Sequence, residues 1–408
     1  MSRHTTEYKI FIGFTEVAGF YKNLFEGLTH IGVKCGYLNK GINKFQYQPP
    51  KGNDGIFNLI MYYNHLFSNK TLRTITIPFL SILTVFAFIR IISFYNVIVL
   101  HNGSTLIKNW DTRLYKLLGL KVVVVSLGSD SRPPILNGAL IDDLQSKNIG
   151  LEIIKNHTEI VRKRVKRYEN LSDIFISSSS YCHFNTRRVV NLIPFGFPLT
   201  VDENKYKKDQ SCGNKITILH APTRLKSKGS DEIMTIINKI SENYPINFEK
   251  LEGVSNQHVL NKMKEADLVI DQLYSDVPCP GLASEAIGIG VPAIVCGYYA
   301  EYISNDVPLN LMPETFYFSP DELYSKLDNI IRSLIKGSLK LPKTKKYNKV
   351  SVAQRFIQLL NDRLPKDYWF DPVNVKYTEG FGKNRSELYN LNHLNDEDYY
   401  FLTGIKRR

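Results

Sequence analysis

The chain has 408 residues, of which 43% are hydrophobic and 22% charged, with a formal net charge of +13. This length exceeds what one compact core supports and fits two α/β domains, and the apolar content excludes an intrinsically disordered protein. The positive charge favours anionic partners, which include nucleic acid, anionic lipid and phosphorylated substrates. The five cysteines are scattered without metal-ligand spacing, which predicts reduced thiols in a cytosolic protein.

The first half alternates short apolar strands with helices, which predicts a parallel sheet covered by helices on both faces. Residues 9–14 form the first strand, and Phe20, Leu24 and Leu28 then share one face of a helix. The valine run at 122–125 predicts a strand buried on both faces.

An apolar segment at residues 75–100 has nearly the length of a membrane-spanning helix. Pro78 and Arg90 interrupt it, and its end, from Val97 to Leu100, is typical of a buried strand. We therefore expect a buried helix followed by a strand. A helix seated in one leaflet of a membrane and a true membrane span remain alternatives.

The second half repeats the alternation from Lys215 onward. Between the halves, residues 200–214 are polar and rich in lysine, without an apolar period, which predicts a linker. The expected organisation is a first Rossmann-like domain at 1–198, a linker at 199–214, a second at 215–364, and a C-terminal extension at 365–408 that packs back on the first domain.

Two loops of the second half follow predicted strands, where parallel sheets bind ligands. The first carries Arg224 and Lys228 just before a helix. Two cations at a helix start suit a diphosphate, whereas the alternative is a pair of solvated loop cations.

In the second loop, Gly281 permits a close backbone approach, and the amides of Leu282 and Ala283 are expected to point at a bound anion. We expect the helix to begin near Ala283, with Glu285 in its first turn. There Glu285 is either a residue favoured by the helix dipole or a carboxylate that binds a ribose.

Taken in order, these motifs resemble the retaining GT-B glycosyltransferases of family 4, also called group 1. The motifs of the second half are His220-Ala-Pro-Thr-Arg224 with Lys228-Gly229, Glu265-Ala-Asp267 through Gln272, and Gly281 to Glu285 with Gly290-Val-Pro292. Those of the first half are Glu16 to Gly19, His101-Asn-Gly103, Asp111, and Gly128-Ser-Asp130. The resemblance covers roughly residues 8 to 360. It implies a GT-B fold, in which two Rossmann-like domains face each other across a cleft.

The resemblance also implies residue roles. Arg224 and Lys228 would neutralise the donor diphosphate, and Glu285 would bind the ribose. The loop at Gly19 would face the phosphate and acceptor across the cleft, and His101 and Asp130 would lie on the wall of the first domain near the reacting sugar. The remaining donor-binding positions are Gly281, Leu282, Ala283 and Ser284. Such enzymes retain anomeric configuration, with the leaving phosphate as base, so no carboxylate nucleophile is required.

One position departs from the family. The glutamate that usually holds the transferred sugar, eight residues before Glu285, is Val277 here, with Asp276 beside it. Either Asp276 replaces it or sugar recognition differs. Two alternatives therefore stay open: a GT-B nucleotide-sugar epimerase, and a non-catalytic glycosyltransferase-like partner subunit.

The co-substrate implied is a UDP- or GDP-sugar, with a hexosyl group moved to a saccharide or polyprenyl-linked acceptor in bacterial O-antigen, capsule or lipopolysaccharide synthesis. We predict no obligatory metal, because Asp396-Glu-Asp398 is expected to be a solvated acidic turn. A basic helix at 158–171 is either a solvated face or a contact with anionic lipid. Together with the apolar Ile75–Ser93 segment and the basic end from Lys406 to Arg408, it favours a peripheral location on the membrane for a cytoplasmic protein. Nucleic acid is not expected, since no motif supports it.

Overall fold

The computed structural model describes residues 7–41, 51–66, 70–107, 110–138, 140, 150–200, 215–340, 347–380 and 391–407. Most of the predicted linker, from residue 201 to 214, and the terminal Arg408 lie outside the described residues.

Six parallel strands of the first half form one sheet. They are β1 (Lys9–Phe14), β2 (Lys34–Asn39), β3 (Val97–His101), β4 (Lys121–Val125), β5 (Ile174–Ser177) and β6 (Val189–Asn191). Their order is β2-β1-β3-β4-β5-β6, so the strand order reverses between β1 and β3. Strands β3 and β4 are almost wholly buried, as their runs of β-branched residues require.

Helices cover both faces of this sheet. They are α1 (Phe20–His30), α2 (Gly55–Leu66), α3 (Lys70–Phe94), α4 (Asp111–Leu117), α5 (Leu151–Leu171) and the short α6 (Leu192–Phe195). Phe20, Leu24 and Leu28 of α1 are buried against β1, so the predicted apolar face is confirmed. The predicted basic helix is α5, which begins seven residues earlier than expected.

Helix α3 contains the apolar segment, and it runs through Pro78 before β3 follows. The order of helix and strand is as predicted, but the helix is buried along one face only. The buried face carries Leu83, Ala87 and Ile91. The opposite face carries Phe79, Ile82, Val85, Phe86 and Ile89, which are 44–55% exposed. Among the helices described, none is long and apolar enough to cross a membrane.

The second sheet has five parallel strands. They are β7 (Ile216–His220), β8 (Ile246–Lys250), β9 (Leu268–Ile270), β10 (Ala293–Cys296) and β11 (Phe316–Phe318), in the order β8-β7-β9-β10-β11. Its helices are α7 (Leu225–Lys228), α8 (Ser230–Ser241), α9 (Asn256–Glu265), α10 (Gly281–Ile289), α11 (Ile303–Asp306) and α12 (Leu323–Ile335). The strand order reverses between β7 and β9, which places the loops after these two strands side by side.

The chain then returns to the first domain through α13 (Lys349–Leu360) and β12 (Trp369–Phe370), which pairs antiparallel with β6. Helix α13 packs closely on α1, since a Cβ on Gly27 would lie 2.2 Å from the carbonyl oxygen of Lys349. The apolar face of α13 joins the core beneath β1. Residues 349–360 fall within the predicted second domain, yet their packing belongs to the first.

The last helix, α14 (Asp396–Thr403), packs on α5. The acidic triplet at 396–398 forms its first turn, in which Asp396 and Glu397 are exposed, so the expected solvated acidic turn is the start of a helix. Asn395 caps this turn by accepting a hydrogen bond from the amide of Asp398 at 2.8 Å. Acidic residues are favoured there because they complement the helix dipole.

Two Rossmann-like parallel sheets therefore face each other, and the loops at the carboxyl ends of their strands line a cleft between them. The predicted fold class, α/β with GT-B architecture, is confirmed.

Candidate active site

Two adjoining cavities lie in the cleft. One, of about 320 Å³, has a polar lining that includes Arg224 and Lys228 from the loop after β7. The other, of about 190 Å³, has a mostly apolar lining. Arg132, Gln272 and Asp276 line both cavities, and Arg132 belongs to the first domain. The polar cavity lies beside the point where the strand order of the second sheet reverses, which is where open α/β sheets bind ligands.

The ammonium group of Lys228 is held by a buried carboxylate. Its Nζ lies 2.8 Å from Oδ1 of Asp271, whose side chain has no exposed surface. Asp271 directly follows β9, so the adjacency of β7 and β9 brings the two residues together. Lys228 is thus fixed in the wall of the polar cavity instead of being a freely solvated loop cation.

The other oxygen of Asp271 accepts a hydrogen bond from the amide of Ala283, at 2.9 Å. This corrects the expectation that the Ala283 amide points at a bound anion. Helix α10 begins at Gly281, two residues earlier than predicted, and the amide of Ser284 donates to the carbonyl oxygen of Pro280. A buried carboxylate requires such donors, so Asp271 takes the position at the helix start that an anionic ligand would need.

The loop at Gly19 lies opposite this helix. A Cβ on Gly281 would lie 3.8 Å from the Cβ of Ala18, so the two loops face each other across the cleft. Gly19 has a φ of 81°, a left-handed conformation that favours glycine before α1. The amides of Tyr21 and Lys22, at the start of α1, donate to the Glu16 carboxylate. Burial raises the pKa of Glu16. These two amides at the start of α1 are therefore already satisfied within the protein.

Glu285 lies in the second turn of α10, not the first, and it lines neither of the two cavities. Its Oε1 accepts a hydrogen bond from Nδ2 of Asn256 at 2.9 Å. Burial raises the pKa of Glu285 to about 7, while the Asn256 bond opposes this shift. A carboxylate that accepts a hydrogen bond from a neutral amide keeps the capacity to accept further hydrogen bonds from hydroxyl groups.

His101 and Asp130 are neighbours, as the sequence motif suggests. Nε2 of His101 lies 3.8 Å from Oδ2 of Asp130, and the hydroxyl of Tyr21 lies 3.1 Å from Nδ1 of the same imidazole. Burial lowers the pKa of His101, and Asp130 opposes that shift. The two residues line neither cavity, and within the described part of the chain Oδ2 of Asp130 accepts no hydrogen bond.

The basic helix α5 is not a plain solvated face. Arg162 donates to the carbonyl oxygens of Tyr400 and Phe401, and Arg164 donates to that of Asp130. These arginines hold the C-terminal helix and the loop after β4, while Lys163 stays exposed.

Two functional candidates were missed by sequence reasoning. Asp271 was visible as a carboxylate directly after a strand, but its pairing with Lys228 depends on strand order. Arg132 forms an ion pair with Asp276 across the cleft, and nothing in local spacing signals a partner in the other domain. In the part of the chain described here, no cluster of three His, Cys, Asp or Glu side chains could hold a metal ion.

No protein-family model matches the chain, and no curated protein matches it significantly. Similar solved structures include HepE of Anabaena with UDP-glucose, at 14% identity over 90% of this chain and 96% of HepE, with a TM-score of 0.41. A putative UDP-N-acetylglucosamine 2-epimerase from Listeria monocytogenes matches at 10% identity over 87% and 96% of the chains, with a TM-score of 0.46. An alpha-glucosyltransferase with UDP and DNA matches at 12% identity over 88% and 100%, with a TM-score of 0.47. Sequence identities and TM-scores this low identify neither the substrate nor the functional residues of this chain.

Proposed function

We propose that this chain is a glycosyltransferase that moves a sugar from a nucleotide-sugar donor to a saccharide acceptor. The observation that carries the proposal is the polar cavity beside the reversal of strand order in the second sheet. Arg224 and Lys228 contribute cations to it from the second domain, and Arg132 borders it from the first domain in an ion pair with Asp276. Cations around a cavity of this kind suit a diphosphate whose charge grows as it leaves.

The residues around this cavity differ in charge, and we assign their roles accordingly. Arg132 is neutralised by Asp276 and Lys228 by Asp271, so each pair presents hydrogen-bond donors with little net charge. Arg224 is exposed on the same wall. We assign the donor diphosphate to Arg224 and Lys228, and the nucleotide ribose to the carboxylate of Glu285. His101 and Asp130 are assigned to the wall of the first domain.

We further propose a retaining mechanism of the family 4 type, with the leaving phosphate as base. Among the described residues that line the two cavities, Asp276 is the one carboxylate, and Arg132 holds it in an ion pair. A carboxylate bound at both oxygens is a poor nucleophile. A route that requires no enzyme nucleophile suits such a lining better.

The proposal is tested by thermal denaturation with UDP-, GDP-, ADP-, dTDP- and CMP-sugars. A ligand that binds only the folded protein raises its stability, by about 2.7 kcal/mol when it is present at 100 times its Kd. We expect a UDP- or GDP-sugar to raise the midpoint, and Arg224→Ala and Glu285→Gln to remove that rise. Lys163→Ala removes an exposed cation on α5 and serves as the matched control, which should keep it.

Transfer is then measured as release of nucleoside diphosphate with and without added saccharide. Release that requires the saccharide supports a transferase, whereas isomerisation without it indicates the epimerase alternative. Binding of the donor without either reaction would indicate a non-catalytic partner subunit. If no nucleotide sugar shifts the midpoint, the proposed function is wrong.

We place this activity in bacterial O-antigen, capsule or lipopolysaccharide synthesis, with a polyprenyl-linked acceptor at the inner face of the membrane. The support is an exposed apolar surface, named here the helical patch, that comprises the outer face of α3 with Trp110 and Leu117 at α4. The ring centroids of Phe88 in α3 and Tyr115 in α4 lie 5.6 Å apart with a tilt of 35°, so the two helices are neighbours. Large exposed apolar surface marks an interaction site, and Trp is favoured at bilayer interfaces.

The membrane assignment is tested by sedimentation with phosphatidylcholine vesicles, with and without phosphatidylglycerol. We expect binding that increases with the anionic lipid, because Arg113 is exposed beside the helical patch. Phe86→Glu should abolish it. Ile335→Glu, at an equally exposed apolar residue of α12 in the second domain, should not. Equal sedimentation of both variants would contradict the assignment.

A further inference from the structure

One ion pair joins the two domains at the centre of the cleft. Nη2 of Arg132, in the loop after β4, donates to Oδ1 of Asp276 at 2.6 Å, and Nε donates to Oδ2. The side chains are only 19% and 10% exposed. Two parallel bonds between a planar guanidinium and a carboxylate fix the orientation of both groups, which a single contact cannot do.

This pair forms part of the wall between the two cavities. Arg132, Gln272 and Asp276 border the polar cavity on one side and the apolar cavity on the other. In a transferase, donor and acceptor must meet where their binding sites adjoin. The polar cavity carries the cations for a diphosphate, so the transferred sugar extends from it towards this wall.

Asp276 keeps the capacity to bind a sugar while it is paired. An ionised carboxylate has about four lone-pair positions, and Arg132 occupies two of them. The remaining two can accept hydrogen bonds from sugar hydroxyl groups. The guanidinium fixes the direction in which these positions point, because it holds both oxygens at once.

The loops that carry the pair are themselves held in place. The amide of Arg132 donates to the carbonyl oxygen of Gly128 at 2.8 Å. On the other side, Oγ of Ser275 donates to the carbonyl oxygen of Val277, and the Ser275 amide donates to Cys296. Gly297 permits this packing, since a Cβ there would lie 1.7 Å from the Ser275 carbonyl oxygen. Such second-layer support is what a preorganised binding group requires.

We propose that Arg132 is a positioning residue that orients the Asp276 carboxylate to accept hydrogen bonds from the hydroxyl groups of the transferred sugar. This inference rests on the proposed function. Because Arg132 belongs to the first domain and Asp276 to the second, recognition of the sugar depends on the closed cleft, whereas binding of the nucleotide depends on the second domain alone.

The test compares two ligands of the same protein: the nucleotide sugar that stabilises the wild type and its nucleoside diphosphate. Calorimetry gives both dissociation constants for Arg132→Lys, Arg132→Met and Asp276→Asn. We expect the affinity for the nucleotide sugar to fall about tenfold to 100-fold, the range for hydrogen bonds to a charged group. The affinity for the diphosphate should change less than about threefold, and Arg132→Lys, which keeps one charged donor, should lose least.

Two further variants separate positioning from folding. The double variant Arg132→Met with Asp276→Leu replaces the pair by apolar groups, which buried pairs often tolerate without loss of stability. It should remain folded, bind the diphosphate normally and lose its preference for the nucleotide sugar. Arg90→Met breaks the pair with Asp54 on the outer side of the first domain and should leave both affinities unchanged.

Three outcomes would overturn the inference about Arg132 and Asp276. If Arg132→Met binds the nucleotide sugar as well as Arg90→Met does, Arg132 positions nothing and the inference is wrong. If Arg132→Met loses both ligands equally, Arg132 binds the diphosphate directly, which also overturns the inference. If the wild type binds the diphosphate but no nucleotide sugar more tightly, sugar recognition by Asp276 is excluded. Failure of the wild type to bind any nucleotide would instead overturn the proposed function itself.

Discussion

Two strand-to-helix junctions face the cleft, and they place carboxylates in similar positions with different consequences. After β1, Glu16 accepts hydrogen bonds from two amides at the start of α1 and from the hydroxyl of Tyr37, at 2.9 Å. After β9, Asp271 accepts one from an amide of α10 and also holds the ammonium of Lys228. The carboxylate at the first junction has neutral partners, whereas the carboxylate at the second holds a cation in the cavity wall.

Helix N-termini bind anions when their amides are free. At the first junction Glu16 accepts two amides at the start of α1, and at the second Asp271 accepts one, that of Ala283. We therefore assign the donor diphosphate to side-chain cations. The difference between the junctions lies in whether the carboxylate holds such a cation, and substitutions can measure how much each arrangement contributes.

The largest effect is expected from Lys228→Ala. It leaves the Asp271 carboxylate buried with an amide but no cation, and breaking a buried pair typically costs about 3–5 kcal/mol. Urea denaturation should show a corresponding decrease in the free energy of unfolding. Loss of transfer in this variant would then reflect instability as well as lost diphosphate binding.

The control for that measurement is Lys250→Ala. Lys250 pairs with Glu252 near the end of β8, where both side chains are partly exposed. Surface pairs of this kind contribute about 0–1 kcal/mol. A loss with Lys228→Ala as small as with Lys250→Ala would mean that Asp271 is stabilised by its amide partner alone.

The next-largest expected effect is on the free energy of unfolding and involves Glu285. Replacing this residue should stabilise the protein, whereas Lys228→Ala should destabilise it. Its pKa of about 7 lies above the ordinary 4.5, so the folded protein keeps the proton that the unfolded chain releases. Stability therefore falls as the pH rises from about 4.5 to 7, by as much as about 3 kcal/mol. Glu285→Gln removes that dependence and should be more stable than the wild type at pH 8.

The same variant should bind nucleotide less well, because a charged acceptor for the ribose hydroxyls is lost. Wild-type affinity for the nucleoside diphosphate should rise between pH 6 and pH 8 as Glu285 ionises, while that of Glu285→Gln should not. Calorimetry at both pH values checks this. Equal pH dependence of binding in the two proteins would remove Glu285 from the ribose site.

Much of the fold could be predicted because local pattern determines it. The apolar spacing of α1 and the valine run of β4 correspond to observed elements. The return of α13 to the first domain could not be predicted. It depends on close packing of Lys349 on Gly27, and periodicity identifies an apolar face without identifying its partner.

The contacts of the candidate site could likewise be predicted only in part. Arg224, Lys228 and Asp276 follow strands of one sheet, so their meeting at one cavity could be expected from sequence. The partner of Asp276 is Arg132, 144 positions away in the other domain. Likewise, Asp271 accepts the Ala283 amide only because the start of α10 packs against the end of β9. Such contacts follow from domain arrangement and burial, which spacing along the chain does not encode.

A smaller effect is expected at the first junction. Glu16→Ala leaves two amides of α1 and the Tyr37 hydroxyl without their acceptor, at a cost of about 2 kcal/mol. Burial raises the pKa of Glu16, so its charge opposes folding as the pH rises above its ordinary value. Glu16→Gln keeps an acceptor without the charge and should lose less stability at pH 8 than Glu16→Ala. The reverse order in urea denaturation would mean that an uncharged acceptor at this position does not stabilise α1.

The smallest loss of stability is expected from removing the hydroxyl group of Tyr37, the neutral side-chain partner of Glu16. Tyr37→Phe removes one hydroxyl donor and leaves Glu16 with its amides, so the expected loss is about 1 kcal/mol. This is the counterpart of Lys228→Ala at the other junction, since each variant removes one side-chain partner of a buried carboxylate. If the two losses are equal, charge adds nothing to the second junction. If the loss with Lys228→Ala is severalfold larger, the buried Asp271 side chain depends on its cation, and Lys228 is held in the cavity wall before any donor binds.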